Sequence, residues 1–292
     1  MTVSDIAPII PQQTPESPWG RRMRALRRNP MAMAGLSVII FWALVALFAP
    51  TIAPYGPLTQ KIASRLQPPS AEYWFGTDEL GRDVFSRVVY GARISVPIGF
   101  VVIIFAMTVG SLIGASAGYL GGLFDLLIMR VADITLAFPS IVLALAIAAI
   151  LGPGITNALI AMVLVWWPEY ARLMRGQVLS IKNNDYVTAS RALGMSQAGI
   201  LFRHILPNTF APILVKASLD AGSAILNIAA LSFIGLGAVP PTPEWGAMIS
   251  LGRYKFYSWW LTTYPGLAIV SVVLGYNFFG DGVRDVFDPR MN

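Results

Sequence analysis

The stretch ISVPIGFVVIIFAMTVGSLIGASAGYLGGLF, Ile94–Phe124, carries no charged residue. About 20 apolar residues in a helix cross the ~30 Å hydrocarbon core of a bilayer, so the segment reads as a transmembrane helix. Within it Gly110, Gly114 and Gly118 recur every fourth residue, and Ala106 extends the stripe. Glycine at this spacing lets helix backbones approach closely, which is the main source of packing energy in lipid.

Four further uncharged runs, Asn29–Gln60, Ile134–Pro168, Ala221–Pro243 and Phe256–Gly280, extend the pattern along the chain. The first span is Met31–Ala53. The second run is too long for one span and contains Gly152-Pro153-Gly154, a strong break. It gives a third span near 134–152 and a fourth near 156–175. The fifth ends within Ala221–Pro243 and starts near Ala211, and the sixth lies near 262–280. Pro97, Pro139, Pro168 and Pro265 lie in or beside spans, where they predict kinks. Of the 292 residues 55% are hydrophobic and only 12% charged, against about 25% charged in a soluble domain. The mean hydropathy is +0.63. With no cysteine and one histidine, His204, disulfides, thiolate metal sites, cysteine nucleophiles and multi-histidine metal centres are excluded. The net charge of +6 is explained by cytoplasmic-side Lys and Arg rather than by nucleic acid.

With the N-terminus inside, six spans return the C-terminus to the cytoplasm, and Lys and Arg divide 14 inside to 7 outside. That bias supports an N-in, C-in topology. The chain then divides into a cytoplasmic segment 1–30, the first span 31–53 and an extracytoplasmic loop 54–93. A core of five spans follows at 94–280, with a cytoplasmic loop 176–208, and a tail at 281–292. Residues 1–18 are polar and proline-rich, a composition expected to be disordered. Ser17-Pro18 opens a helix with Trp19, Met23 and Leu26 at helical spacing beside Arg21, Arg22, Arg24, Arg27 and Arg28. It reads either as an amphipathic helix on an anionic leaflet or as a positive-inside flank, and the following span as an uncleaved anchor.

Few charges approach the spans. Glu169 and Arg172 are spaced to pair at i,i+3, and Lys216 and Asp220 at i,i+4. Local pairing at the membrane boundary is the expected role, with ion or substrate contact the alternative. In the largest cytoplasmic loop, Asn184 or Asp185 is placed to cap a helix running to about Leu193. Gly194 ends it in the left-handed conformation, Ser196 caps a second short helix, and Pro207 limits that one. This bent pair of helices suits a partner's groove, and its two arginines, Arg191 and Arg203, are too few for a nucleic-acid motif.

Thr188-Ala189-Ser190, then Arg191 and Gly194, and later Leu206-Pro207 resemble the EAA loop of ABC importer permeases. Thr188 replaces the family's glutamate, and His204 stands at an isoleucine position. Gly76-Thr77-Asp78-Glu79-Leu80-Gly81-Arg82-Asp83 is similar to the segment before the second span in permeases of the dipeptide, oligopeptide and nickel group. The Pro240–Gly246 segment, with Glu244 and Trp245, and Gly280–Asp285 fit that group, most closely the second of its paired dipeptide permeases. Read on their own, Asp78, Glu79 and Asp83 are expected to be solvated turn and helix-start carboxylates rather than metal ligands. Trp245, Trp259 and Trp260 suit the membrane–water boundary. A short interfacial or re-entrant helix is expected at 244–253, serving the outer gate or the binding protein, or acting as a passive anchor.

The resemblance implies an all-α, six-helix type I ABC importer permease with no catalytic residues or metal. Its partners would be a second homologous permease, two cytoplasmic ATPase subunits that bind ATP and Mg²⁺, an extracytoplasmic binding protein and membrane lipid. The chain itself has no Gly-x-x-x-x-Gly-Lys-[Ser/Thr] motif. The implied cargo is a di- or oligopeptide, with nickel, glutathione or opines as alternatives within the group. A secondary transporter would show two related halves and intramembrane ionisable groups, and neither stands out. An intramembrane hydrolase lacks a placed base, and a structural bundle is not excluded by packing alone.

Overall fold

The computed structural model describes Pro18–Phe287; the proline-rich stretch 1–17 and Arg290 in the tail lie outside the described residues. Helix α1 (Pro18–Arg28) leads into α2 (Pro30–Leu47). Between them the Asn29 side chain caps α2 by accepting from the N–H groups of Met31 and Ala32. A short α3 (Ala49–Ile52) completes the first apolar run.

Helix α4 (Val84–Leu120) covers the second expected span as far as Leu120, with Gly121 ending it before Phe124, and starts inside the stretch read as loop. By charge Arg87 reads as a residue of that outer loop. It is instead buried, within 3.6 Å of Asp78, and it donates to the carbonyls of Pro57 and Pro241. A guanidinium supplied with acceptors can sit inside a helix bundle.

The third span expected near 134–152 is not one straight helix, since it begins in the last residues of one helix and continues in a second. The two helices are α5 (Gly122–Leu136) and α6 (Ser140–Leu151), bent by 95° at the break. Pro139 lacks an N–H and disfavours helical geometry at Phe138 before it, which places the bend. Helix α7 (Ile155–Ile181) follows, then α8 (Asp185–Ala192) and α9 (Gln197–Ile200). Pro207 does not end this second loop helix. A wide π turn over Leu201–Ile205 carries the chain into α10 (Leu206–Ile234). In a regular helix the Pro207 ring would strike the carbonyl of Arg203, and the wide turn includes that residue. Helices α11 (Trp245–Gly252) and α12 (Trp260–Phe287) complete the chain.

Among the described residues, α2, α4, the run Gln197–Ile234 and α12 are long and apolar enough to cross a membrane, and the bent pair would make a fifth span. Helix α7 is long enough but carries Asn157, Glu169, Arg172 and Arg175, which dilute its apolar character.

The most extensive helix contact is α4 against α7, and the glycine stripe makes it. A Cβ at Gly110 would lie 2.3 Å from the Trp167 carbonyl oxygen, and one at Gly114 would lie 2.1 Å from that of Ala171. Only glycine permits this backbone approach. The main core gathers α4, α6, α7 and α10, and a second core joins the start of α4 to α11 and α12.

Candidate functional site

The bent loop forms one end of the bundle. Helix α8 holds Thr188, Ala189, Ser190 and Arg191. It closes with the N–H of Met195 donating to the Ser190 carbonyl and that of Gly194 to the Arg191 carbonyl. With Gly194 at φ +80° this is a Schellman end, as expected. Asn184 occupies the N-cap position but its side chain makes no capping bond. Ser196 caps α9 through the Gly199 N–H. Val187 and Ile200 are buried beneath the bend, while Leu193 at its tip is 88% exposed. Leu206 packs on the main core, away from the exposed tip, and Pro207 is exposed. The loop residues thus form a rooted knuckle with an apolar tip.

Ionic contacts run inward along α7 from this end. Arg175 pairs with Asp125 through two bonds, of 2.5 and 2.6 Å, and Arg172 donates to Asp133 at 2.7 Å. The expected Glu169–Arg172 pair does not form, because Asp133 on α5 claims Arg172. Glu169 instead accepts from Lys216 at 2.7 Å. Lys216 also pairs with Asp220 at 2.9 Å, as its spacing predicted. The Tyr170 hydroxyl donates to Asp220 at 2.8 Å.

At the opposite end lies the motif around Gly76–Asp83. Asp78 accepts from the N–H groups of Leu80 and Arg82, and from Arg82 Nε at 2.6 Å. Asp83 caps α4 through the Ser86 N–H at 2.7 Å. Burial pushes its carboxyl above the usual range against the pull of Ser86. Gly76 and Gly81 have φ of +72° and +69°, and a Cβ on Gly81 would strike the Lys61 carbonyl. Thr77 is fully buried and its hydroxyl donates to the Ser64 carbonyl. The expectation of solvated carboxylates is therefore corrected for Asp78 and Asp83, which are consumed by arginine and helix capping. Glu79 is partly exposed and pairs with Lys255.

Glu244 and Trp245 build the third element. The Glu244 carboxylate caps α11 by accepting from the N–H groups of Gly246 and Ala247, and accepts from the Ser95 hydroxyl at 3.3 Å. Burial raises its pKa against those bonds. The expected short helix is present, but Trp245 is not a boundary anchor. It is fully buried, donates to the Val88 carbonyl at 2.9 Å and meets Trp42 edge-on. Trp260 is also buried, donating to the Thr77 carbonyl, whereas Trp259 is exposed. Gly91 makes room for Trp245, since a Cβ there would lie 2.7 Å from its indole nitrogen.

Sequence reasoning missed Ser95 and Trp42, which contact this element from α4 and α2, and the Asp125 and Asp133 partners. For the last two a signal existed. Asp125 and Asp133 stand about two helical turns apart, on one face, before the uncharged run that Arg172 and Arg175 follow.

Residues 110–292 match the family described as binding-protein-dependent transport system inner membrane component. Residues 17–69 match the N-terminal TM domain of oligopeptide transport permease C. A dipeptide transport system permease protein from Alkalihalophilus pseudofirmus is 48% identical over 96% of this chain and 92% of its own length. A probable D,D-dipeptide transport system permease protein from Escherichia coli K12 is 43% identical over 99% and 98%. A glutathione transport system permease protein from Shigella boydii is 42% identical over 99% and 96%. With apolar helices fit to cross a bilayer and these matches along nearly its whole length, the chain belongs to the family of binding-protein-dependent transport system inner membrane components.

Proposed function

We propose that the chain is one of two permease subunits of an ATP-driven importer of di- or oligopeptides. It forms half of the translocation pathway beside a second homologous permease. An extracytoplasmic binding protein delivers the peptide, and two cytoplasmic ATPase subunits bind ATP and Mg²⁺. The similar permeases are those of dipeptide and glutathione transport systems, which supports a short peptide over nickel or opines.

The chain crosses the membrane as six helices with both termini in the cytoplasm. Contacts along the bundle support this: α2, α4, α6, α7, α10 and α12 each run between the α11 end and the knuckle end. Trp42 meets Trp245 at one end of α2, and Asn29 donates to Asp285 at the other. The N–H of Gly154, between α6 and α7, donates to the Leu236 carbonyl at the far end from Arg175. The excess of Lys and Arg supports a cytoplasmic knuckle end.

The carrying observation is the rooted knuckle of α8 and α9. Tyr186, Leu193, Met195 and Phe202 are all exposed on this loop, and several apolar side chains held outside the core at a water-facing end suit a partner groove. That groove belongs to an ATPase subunit. The α11 segment and the Asp78 motif brace the outer side. The test is purification of the chain from detergent with its second permease and ATPases, followed by dipeptide uptake in proteoliposomes. ATPase activity that does not respond to peptide-loaded binding protein would refute the reading.

A further inference from the structure

The Glu169–Lys216–Asp220 cluster lies further from the knuckle than the Arg172 and Arg175 pairs and yet on the surface of the chain. Glu169 lies about 21 Å down α7 from Ile155, and Asp220 about 21 Å along α10 from Ile234. Both distances fall within a hydrocarbon layer of about 30 Å. A second measure agrees. The missing Cβ of Gly110 faces Trp167 and Tyr170, beside Glu169, and Gly110 stands near the middle of the uncharged run Ile94–Phe124.

At this depth side-chain exposure is 46% for Glu169, 24% for Lys216 and 22% for Asp220. Charged groups are not left facing lipid. They face water-filled cavities or other protein. Two carboxylates share one ammonium, so the cluster keeps one negative charge in excess. Lys216 is already held by both partners, and Asp220 also accepts from Tyr170. Glu169, the most exposed of the three, has acceptor capacity left over.

Building on the importer reading, we infer that this face lines the translocation pathway and that Glu169 receives the alkylammonium group of the passing peptide. Lys216 holds the Glu169 carboxylate in place, and Tyr170 and Asp220 hold Lys216. The ligand class is a small peptide with a free amino terminus. The contact is transient by construction, because Lys216 competes for the same carboxylate and returns to it when the peptide leaves.

The test uses the whole importer in proteoliposomes with alanyl-alanine as the probe, and cysteine-free partner subunits beside this cysteine-free chain. Glu169→Gln keeps size and removes charge. The expected result is uptake per ATP hydrolysed reduced by about tenfold, with stimulation by loaded binding protein retained. Glu169→Cys should react with a water-soluble methanethiosulfonate, more slowly during dipeptide turnover. The sulfonate form of the reagent should restore uptake and the trimethylammonium form should not. Wild-type uptake per ATP in Glu169→Gln, or no labelling of the Glu169→Cys variant, would overturn the inference. So would a loss confined to assembly yield, which would place the cluster at the contact between permeases. If the unmodified complex takes up no dipeptide, the importer reading fails and this site with it.

Discussion

Gly194 offers a substitution whose effect on folding and effect on coupling separate cleanly. Its φ is +80°, and a Cβ built there meets no atom of this chain within 4 Å. Within the chain a side chain therefore costs only the left-handed conformation. That is about 1–2 kcal/mol for an ordinary residue and less for Asn or Asp, which enter this region readily. Against a total stability on the order of 5–15 kcal/mol, Gly194→Asn and Gly194→Asp should insert and fold. If the knuckle seats in a close-fitting groove, both substitutions put atoms where the partner's surface lies, and Asp adds a desolvated charge. The expected outcome is loss of peptide-stimulated ATP hydrolysis and uptake per assembled complex in both variants. Thermal stability should change by no more than that small cost, and substitution at Ser180 should do far less. The assay is ATPase rate and uptake, each normalised to co-purified ATPase subunit. Unimpaired coupling in both variants would show that Gly194 serves only as a helix end.

Gly114→Ala should lower thermal stability by about 1–3 kcal/mol, because its Cβ would lie 2.1 Å from the Ala171 carbonyl oxygen. Gly118→Ala, at 3.1 Å from the Arg175 carbonyl oxygen, should cost clearly less, and a melting series in detergent that reversed this order would contradict the packing. Trp245→Ala empties a fully buried site and should cost about 3–5 kcal/mol, with Trp245→Phe retaining much of it in the same melting assay. Because burial raises the Glu244 pKa in the folded chain, its protonated form stabilises fully below the unfolded value of about 4.3. That contribution is lost as pH rises through the folded value. A melting-temperature profile against pH should carry this slope, and Glu244→Gln should flatten it. Single cysteines at Tyr257, 97% exposed, and Leu193, 88% exposed, should label from opposite sides of the membrane. Labelling of both by an impermeant reagent in intact spheroplasts would refute the topology.

The features that local chemistry decides were legible in the sequence. The left-handed Gly194, the Ser196 cap, the Lys216–Asp220 pair and the close-packing glycine stripe follow from neighbours within about one or two helical turns. What resisted was decided across the chain. Arg87 looks like a loop residue until Asp78 and two distant carbonyls surround it. Glu169 has a partner at i,i+3, but α5 brings Asp133 to that partner and α10 brings Lys216 to Glu169. Trp245 has the composition of an interfacial residue and is internal because Gly91 leaves a slot for it. Pro207 is a helix terminator by type, and a π turn absorbs it. In each case a long-range contact or a local change of helix geometry supplied the bond or space that the simple rule assumed to be missing.

The same contacts suggest how a push on the knuckle reaches the pathway. Helix α8 follows α7 after a few residues, and α9 runs through the π turn into α10, so the knuckle is the turn of a long antiparallel pair. The pair is fastened at mid-depth by Lys216 between Glu169 and Asp220, and at its far end by the Gly154–Leu236 hydrogen bond. Two antiparallel helices pinned at both levels move together rather than sliding past each other. On one side α7 is locked into α4, where Gly110 and Gly114 leave no space for slippage. Displacement of the knuckle is therefore delivered to α4, α7 and α10 as a unit. Helix α10 also meets α12 closely, where a Cβ at Gly280 would lie 2.9 Å from the Ser218 carbonyl oxygen. On the importer reading Glu169 rides on this unit, so a tilt driven from the knuckle would change what its carboxylate faces without breaking the bonds that hold it.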